Sequence, residues 1–337
     1  MRTESIINVR NLVKIYTTYE RGHSFKEALV SLFRRKMLEV KAVKGLTFHV
    51  GAGEIVGFLG PNGAGKSTTL KILTGVLHPT SGDVRIMGFT PWKQRKKYVA
   101  GIGAVFGQKS QLLWDIPPID AFYMNKAIYD IPEDAFHETL NQLVELLDVE
   151  KLIRKPTRQL SLGERMKCEF IMAMLHRPAV VFLDEPTIGL DVIAKEKIRE
   201  FIREMNKRGV TFILTTHDLA DVDQLARRVI VVNHGEIVFD DSIVALRNFL
   251  GAKKTVRITT EAPADWMSIE GIQVISEDSM LEAELELDTE LLPLKEFIRL
   301  INEKYTIHDM SIDSLPIERV IKELYVNSEA HSDKRSP

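Results

Sequence analysis

The strongest constraint in this chain is the octapeptide Gly60–Ser67, which follows an apolar run and precedes a segment with helical character. Its glycines allow successive backbone N–H groups to point at one phosphate, and the following helix presents its positive end there. This order of strand, loop and helix favours a phosphate-binding loop over a glycine-rich turn with a surface lysine. We expect a nucleotide to contact Gly60, Pro61, Asn62, Gly63, Ala64, Gly65, Lys66, Ser67 and Thr68.

Lys66 and Ser67 have distinct expected roles within this loop. The Lys66 ammonium would neutralise the β- and γ-phosphates, and the Ser67 hydroxyl would ligate Mg²⁺. A second metal ligand is available in Asp184, which ends the apolar run 180–183, and Glu185 follows at once. We expect Asp184 to hold Mg²⁺ and Glu185 to polarise an attacking water as a general base. The alternative is that both carboxylates only cap a following helix.

The composition is that of a globular protein with about two domains. The chain has 337 residues, of which 45% are hydrophobic and 27% charged, and its formal net charge is −2. A protein with this near-neutral net charge lacks the strong positive potential of a nucleic-acid-binding protein, so no nucleic-acid partner is expected. The single cysteine, Cys168, cannot form an intramolecular disulfide. No segment has the 18 apolar residues of a membrane span, so any membrane function is expected to depend on another chain.

The order of the predicted elements indicates an α/β fold. Strands that are apolar throughout, separated by helical stretches, predict a sheet that is covered on both faces. We assign residues 1–245 to an ATP-binding domain with a helical subdomain at about 109–178. Residues 250–325 are expected to form a small C-terminal α+β domain, and 327–337 a polar tail. Residues 261–290 carry ten acidic and no basic residues; their alternation favours a solvated strand face over a cation site.

Further motifs occur once each, in the order found in one family. The sequence 160–164, Leu-Ser-Leu-Gly-Glu, resembles the family's signature, and 188–191 resembles its Asp loop. Gln108 resembles the glutamine of its glutamine loop, His217 its switch histidine, and Tyr16 the aromatic residue that stacks on adenine. Together with the phosphate loop and Asp184, this set resembles the nucleotide-binding subunit of an ABC transporter, of the drug- and polysaccharide-export type. The resemblance covers residues 5 to about 245.

The resemblance implies a P-loop ATPase of the ABC type that uses ATP and Mg²⁺. Two subunits would close head to tail, as a homodimer or with a second ATPase subunit, and drive a separate membrane permease, an exporter, at the cytoplasmic face of the membrane. The residues carried over from the family are Glu185, His217 and Gln108 for catalysis, Ser67, Gln108 and Asp184 for the metal, and Ser161, Gly163, Glu164 and Asp191 for the partner's nucleotide.

Two positions depart from the family signature. Leu162 and Glu164 stand where the family has Gly and Gln. Ser161 and Gly163, which would face the partner's γ-phosphate, are retained. We therefore expect the departures to alter dimer affinity and rate without abolishing activity.

Two segments are candidates for contact with a membrane partner. The first is an N-terminal insertion at about 17–41, in which 24–36 carries an apolar helical stripe, Phe25, Ala28, Leu29, Leu32 and Phe33, followed by a basic end. This helix would lie against the membrane interface or the permease, or pack on its own domain. The second is 106–129, where Leu112, Leu113 and Trp114 would receive the permease or fill the subdomain core.

Two other functions are compatible with an ABC motif set. A soluble ABC ATPase acting on ribosomes or DNA usually carries two motif sets or long coiled-coil insertions, and this sequence has neither. A non-hydrolysing nucleotide-gated scaffold is disfavoured because Glu185 and His217 are both present. The transported substrate cannot be read from the sequence.

Overall fold

The structure is a computed structural model that describes residues 5–19, 37–107, 110–216, 219–249, 253–263, 266, 269–279, 281–315, 319–321 and 323–325. The chain divides into two compact units, Met1–Asp241 and Ser242–Pro337. The predicted helical stripe at 24–36, Gln108, His217 and the predicted tail at 327–337 lie outside the described residues.

A six-stranded sheet forms the centre of the first unit, in the order β5-β6-β7-β3-β8-β9. The pairs from β5 across to β8 are parallel. All residues of β3 and β7 are buried, as the continuous apolar runs predict for strands covered on both faces. The strands are β3 (Ile55–Leu59), β5 (Ile102–Phe106), β6 (Val180–Asp184), β7 (Thr211–Thr215), β8 (Arg228–Asn233) and β9 (Glu236–Ser242).

A three-stranded antiparallel sheet, β2-β1-β4, packs against this sheet. Its strands are β1 (Ser5–Tyr19), β2 (Met37–Gly51) and β4 (Ser81–Ile86). The predicted insertion at 17–41 is too wide, because Thr17 pairs with Glu39 and Tyr19 with Met37. Threonine, tyrosine and valine favour extended backbone, so the two strands continue to pair beyond the predicted ends. Only residues 20–36 lie between them.

The helices of the first unit connect these strands. Within the predicted helical subdomain, α5 contacts both α3 and α4. The helices are α1 (Lys66–Leu73), α2 (Arg95–Val99), α3 (Pro118–Ile128), α4 (Glu133–Leu147), α5 (Leu162–Met174), α6 (Val192–Lys207) and α7 (Leu219–Leu225).

The main hydrophobic core lies between the antiparallel sheet and one face of the parallel sheet. Phe48 of β2 and Phe58 of β3 meet there, with ring centroids 5.7 Å apart. Leu70 and Leu73 of α1 are fully buried in the same cluster. The helix that follows the octapeptide is thus fixed by apolar packing, which holds its N-terminus at the ends of β3 and β6.

The second unit is the small α+β fold that the sequence predicts. Its antiparallel sheet has the order β11-β12-β10-β13, and Phe297 and Ile301 of α9 pack on Val256 and Leu285. The acidic strand is not simply a solvated face, since Glu286 is buried and bonded to Lys253 and Arg319. The elements are α8 (Ile243–Arg247), β10 (Lys253–Thr260), β11 (Ile272–Ser279), β12 (Glu282–Asp288), α9 (Leu294–Lys304) and β13 (Ile307–Ser314).

Candidate nucleotide site

The glycine-rich loop joins the end of β3 to the start of α1, as the sequence predicts. Gly65, immediately before α1, has φ 104°, and a Cβ there would lie 2.4 Å from the carbonyl oxygen of Ala42. Only glycine fits this left-handed position beside another backbone. The loop is therefore pressed against β2, with its final glycine leading directly into Lys66.

A backbone bridge from the β8–β9 turn supports the same loop. The N–H of Gly235 donates to the carbonyl of Ala64 at 3.0 Å, and the carbonyl of Gly235 accepts from Lys44 N–H at 2.8 Å. The loop is thus held from two sides by β2 and the turn after β8. Such support holds the loop in one conformation without help from a ligand.

The Lys66 side chain is buried and folded onto its own loop. Its Nζ donates to the carbonyl oxygens of Gly60 at 2.6 Å and Pro61 at 3.1 Å. Burial lowers the pKa of Lys66 from its ordinary value, while the nearby carboxylates of Glu185 and Asp184 act in the opposite direction. An anionic phosphate at this position would favour the charged form and offer the ammonium a stronger acceptor than two neutral carbonyls.

The ends of two strands and the phosphate loop meet at Asp184. Its Oδ1 accepts hydrogen bonds from Ser67 Oγ at 3.2 Å and from Thr215 Oγ1 at 2.5 Å. Asp184 ends β6, Thr215 ends β7, and Ser67 lies in the first turn of α1. A carboxylate and a hydroxyl this close provide the hard oxygen ligands that Mg²⁺ prefers.

Glu185 adopts a left-handed backbone conformation with φ 54°, which is unusual for a residue with a side chain. Its N–H donates to the carbonyl of Thr215 at 3.0 Å. Strained backbone of this kind is concentrated at functional sites, where the surrounding structure holds it. Here the left-handed residue turns the chain immediately after the end of β6.

Gly107 brings the end of β5 against the same turn. Its N–H donates to the carbonyl of Asp184 at 2.8 Å, and a Cβ on Gly107 would lie 2.0 Å from the carbonyl oxygen of Glu185. No side chain can occupy that space. The end of β5 is thus held against the Asp184–Glu185 turn through Gly107. Gln108 is the next residue in the sequence.

Tyr16 lies on β1, opposite Val40 of β2, and its side chain is 38% exposed. Lys14 Nζ is 5.2 Å from the centroid of its ring. Ala42 comes two residues after Val40 on β2, and its carbonyl lies against Gly65 of the loop. The predicted base-stacking residue therefore lies on the strand pair that flanks the phosphate loop.

The predicted signature and Asp loop contact each other. Ser161 caps α5 by accepting a hydrogen bond from Glu164 N–H at 3.3 Å, and the Glu164 carboxylate accepts from Ser161 N–H at 2.8 Å. A Cβ on Gly163 would lie 2.9 Å from that of Ala194, in the first turn of α6. Asp191 caps α6 by accepting from Ala194 N–H at 2.8 Å. Glu164 thus completes a capping box, a role that the glutamine of the family signature can fill as well.

Hydrogen bonds, close packing and charge proximity together place the predicted residues in two groups. The Lys66, Ser67, Asp184 and Glu185 segments form one, and the Ser161–Glu164 and Asp191 segments form the other. Thr215, Gly107 and Gly235 were not singled out from the sequence. A hydroxyl at a strand end and a glycine before Gln108 were visible signals for the first two, whereas Gly235 acts only through its backbone.

The chain is similar in sequence to known proteins. A family model described as "ABC transporter" matches residues 43–188. A fluoroquinolones export ATP-binding protein of Mycobacterium tuberculosis is 33% identical over 229 residues, covering 67% of this chain and 73% of the relative. A linearmycin resistance ATP-binding protein of Bacillus subtilis is 25% identical over 288 residues, covering 85% and 92%.

A solved structure shares both the fold and part of the sequence. CbiO1 from Clostridium perfringens, part of the ABC transporter complex cbiONQ, superimposes with a TM-score of 0.58 at 26% identity, covering 71% of this chain and 89% of that one. The α/β fold with a phosphate loop at the end of β3 is therefore confirmed. This chain belongs to the ABC transporter family as an ATP-binding subunit, an ABC ATPase.

Proposed function

We propose that the subunit binds Mg-ATP between two copies of its ATPase unit and drives a separate membrane permease that acts as an exporter. One observation supports this above all: the signature group contacts the Asp191 segment, while Lys66, Ser67 and Asp184 are linked to one another. In the family, each ATP-hydrolysing site is built from one group of each kind, so each group supplies half of a site. A second copy, related by a two-fold axis, completes both halves at once.

The first group binds the nucleotide. The phosphates lie in the loop 60–65, the Lys66 ammonium exchanges its carbonyl partners for the β- and γ-phosphates, and Tyr16 stacks on adenine. Asp184 and Ser67 hold Mg²⁺, with Gln108 as a further ligand. The metal, when bound, neutralises charge on the transferred phosphoryl group.

Hydrolysis requires a water activated next to the γ-phosphate. Glu185 accepts a proton from this water while the oxygen attacks phosphorus and the bond to ADP breaks. Its backbone is held by Thr215 and by the close approach of Gly107. Gln108 and His217 complete the catalytic set in the proposal. In the sequence they follow the last residues of β5 and β7, respectively, by two positions.

The second group faces the partner copy. Leu162 is 36% exposed, and Val192 and Ile193, just after the Asp loop, are 80% and 83% exposed. Large apolar side chains this exposed are unfavourable in water and are typical of a surface that becomes covered. They lie next to Ser161 and Gly163, the residues that contact the other copy's γ-phosphate in the proposed dimer.

The permease contacts a third surface, on the helical part of the first unit. No helix in the described ranges is both long enough and apolar enough to cross a bilayer. Trp114 is 57% exposed, and Met124 and Ile128 of α3 are 50% and 70% exposed. The relatives named above are an export protein, a resistance protein and a member of a transporter complex. Their names support a permease partner and, for the first two, the outward direction.

The test uses Glu185→Gln in the full chain. This variant should bind ATP as the wild type does, lose turnover, and form an ATP-dependent dimer that light scattering detects. Glu200→Gln, an exposed carboxylate on α6 with a lysine partner, is the matched control and should hydrolyse ATP normally. Normal turnover in Glu185→Gln, or no dimer with ATP, would contradict the proposal.

A second experiment tests the permease surface. Trp114→Glu with Met124→Glu should reduce recovery of the subunit with the membrane fraction of cells that produce its permease. Val76→Glu changes another exposed apolar residue, 61% exposed, and should leave recovery unchanged. Equal recovery of both variants would show that the permease docks elsewhere.

A further inference from the structure

Glu169 is a buried carboxylate that the proposed reaction does not use. It lies in the middle of α5 and is 4% exposed. Its oxygens accept hydrogen bonds from Ser110 Oγ at 2.5 Å and from Gln111 N–H at 2.9 and 3.1 Å. A longer contact of 3.4 Å joins it to Leu112 N–H. One carboxylate thus gathers the donors of three consecutive residues.

This arrangement is specific because a buried carboxylate is costly unless it is well bonded. Burial raises the pKa of Glu169, whereas the Ser110 hydroxyl and the two backbone N–H groups favour the charged form. Hydrogen bonds to an ionised acceptor are among the strongest in proteins. An apolar side chain would leave the 110–112 donors without this partner inside the protein.

The two segments that Glu169 joins both carry functional residues. Ser110 comes two residues after Gln108, and Leu112 leads directly into the exposed Leu113 and Trp114. On the other side, α5 begins at Leu162 and is capped by Ser161. Eight residues of helix separate Ser161 from Glu169, which corresponds to about 12 Å along a rigid rod.

We propose that Glu169 is a positioning residue that fixes the segment after Gln108 to the signature helix, so that the two move as one body. The inference rests on the proposed dimeric function. A displacement of 110–114, by nucleotide at Gln108 or by a partner at Trp114, then shifts α5 and changes how Ser161 is presented to the second copy. Without the carboxylate, the segment and the helix would move separately.

A purely structural role for Glu169 predicts a different result. In that case its loss would lower the stability of the helical region and reduce all activities together. A positioning role predicts that the activities are affected unequally. ATP would still bind the phosphate loop of one copy with normal affinity. Only the steps that need the signature of the second copy, dimer formation and kcat, would suffer.

The experiment compares three variants of the full chain, each made with Glu185 intact for kcat and with Glu185→Gln for dimer affinity. Glu169→Met removes every acceptor at similar volume and should weaken the ATP-dependent dimer and lower kcat by about tenfold. ATP affinity, measured with a fluorescent analogue, should stay within about twofold. Glu169→Gln keeps one carbonyl acceptor and should recover most of the loss.

Ser110→Ala removes one donor and leaves the carboxylate and both N–H groups in place. It should lower kcat by about threefold, and it provides the test if Glu169→Met does not fold. If kcat and dimer affinity were unchanged in the folded variants, or if ATP binding were lost in parallel, the inference about Glu169 would be overturned. The proposed function would not be affected by either result. No ATP-dependent dimer in Glu185→Gln by itself would overturn the proposed function as well.

Discussion

The Ser67 hydroxyl lies 3.2 Å from Asp184 Oδ1, although the two residues are 117 positions apart in the chain. Ser67 follows β3 and Asp184 ends β6, with β7 between these strands in the sheet. Because parallel strands present their carboxyl ends at one edge, the sheet brings the loop and the carboxylate together there. Thr215, at the end of β7, bonds the same oxygen.

Asp184→Asn should separate metal binding from local structure. The amide oxygen can still accept from Ser67 and Thr215, so the fold should be kept, but the charge that favours Mg²⁺ is lost. ATPase activity is expected to fall by about a hundredfold or more at physiological Mg²⁺. The measurement is ATPase rate against Mg²⁺ concentration.

The control for this variant is Asp83→Asn, which changes an exposed residue of β4 that has Arg85 as its partner. It changes the same charge away from the site and should leave the Mg²⁺ dependence unaltered. If Asp184→Asn showed the wild-type Mg²⁺ dependence, Asp184 would not be a metal ligand.

Gly107→Ala should disrupt the catalytic turn. The added Cβ would lie 2.0 Å from the carbonyl oxygen of Glu185, so the ends of β5 and β6 must move apart and the bond from Gly107 N–H to Asp184 is strained. We expect a loss of about 1–3 kcal/mol in the free energy of unfolding and at least about a tenfold loss in kcat. Denaturant unfolding and steady-state kinetics measure the two effects.

Gly88→Asn serves as the comparison, because Gly88 has a positive φ but nothing lies within 4 Å of a Cβ there. Asparagine tolerates this conformation, so kcat should be unchanged. If Gly107→Ala had the wild-type kcat, the backbone at Gly107 and Glu185 could move apart without slowing the reaction.

Much of this site could be predicted because its chemistry is local in sequence. Two short motifs, the loop at Gly60–Lys66 and the pair Asp184 and Glu185, can each be recognised because they directly follow an apolar strand. The interior of the sheet was predictable for the same reason, since continuous apolar runs such as β7 leave no exposed face. The α/β fold class followed from their alternation with helices.

The parts that escaped prediction depend on contacts between distant segments. Gly235 supports the loop through its backbone alone, so no side-chain pattern marks it. Glu169 looks like a polar position on a helix until the fold brings 110–112 against it. Glu286 lies in an alternating acidic strand, and only the basic groups of Lys253 and Arg319 explain its burial.

Stability should fall at acidic pH because of His176. Its ring stacks on Tyr129 at 3.9 Å, its Nε2 bonds the carbonyl of Ile102 at 2.8 Å, and its buried Nδ1 has no hydrogen-bond partner. Burial lowers the pKa of His176 from its ordinary value of 6.5. The unfolded chain therefore takes up a proton more readily than the folded one.

The sign of the effect follows from this difference. The stability from neutral His176 is present above pH 6.5 and is lost as the pH falls from there through the folded-state pKa. One such proton can contribute a slope of up to about 1.4 kcal/mol per pH unit. Between pH 7.5 and 5, the free energy of unfolding in urea should fall more steeply with falling pH for the wild type than for His176→Phe, which keeps the stacking. Equal slopes would show that His176 does not contribute.

Val192→Glu should weaken the proposed dimer without affecting the monomer. Val192 is 80% exposed at the start of α6, so a glutamate there costs no core packing and favours the positive end of the helix. In a two-fold dimer the substitution occurs twice, and it places charge on a surface that must lose water when the copies close. In the Glu185→Gln background, sedimentation should report an ATP-dependent dimer about tenfold weaker, with the melting temperature unchanged. Val76→Glu, another exposed valine turned to glutamate, should dimerise as Glu185→Gln alone does. If both valine variants dimerised equally well, the surface after Asp191 would not belong to the interface, and the second copy would have to approach Ser161 from another side.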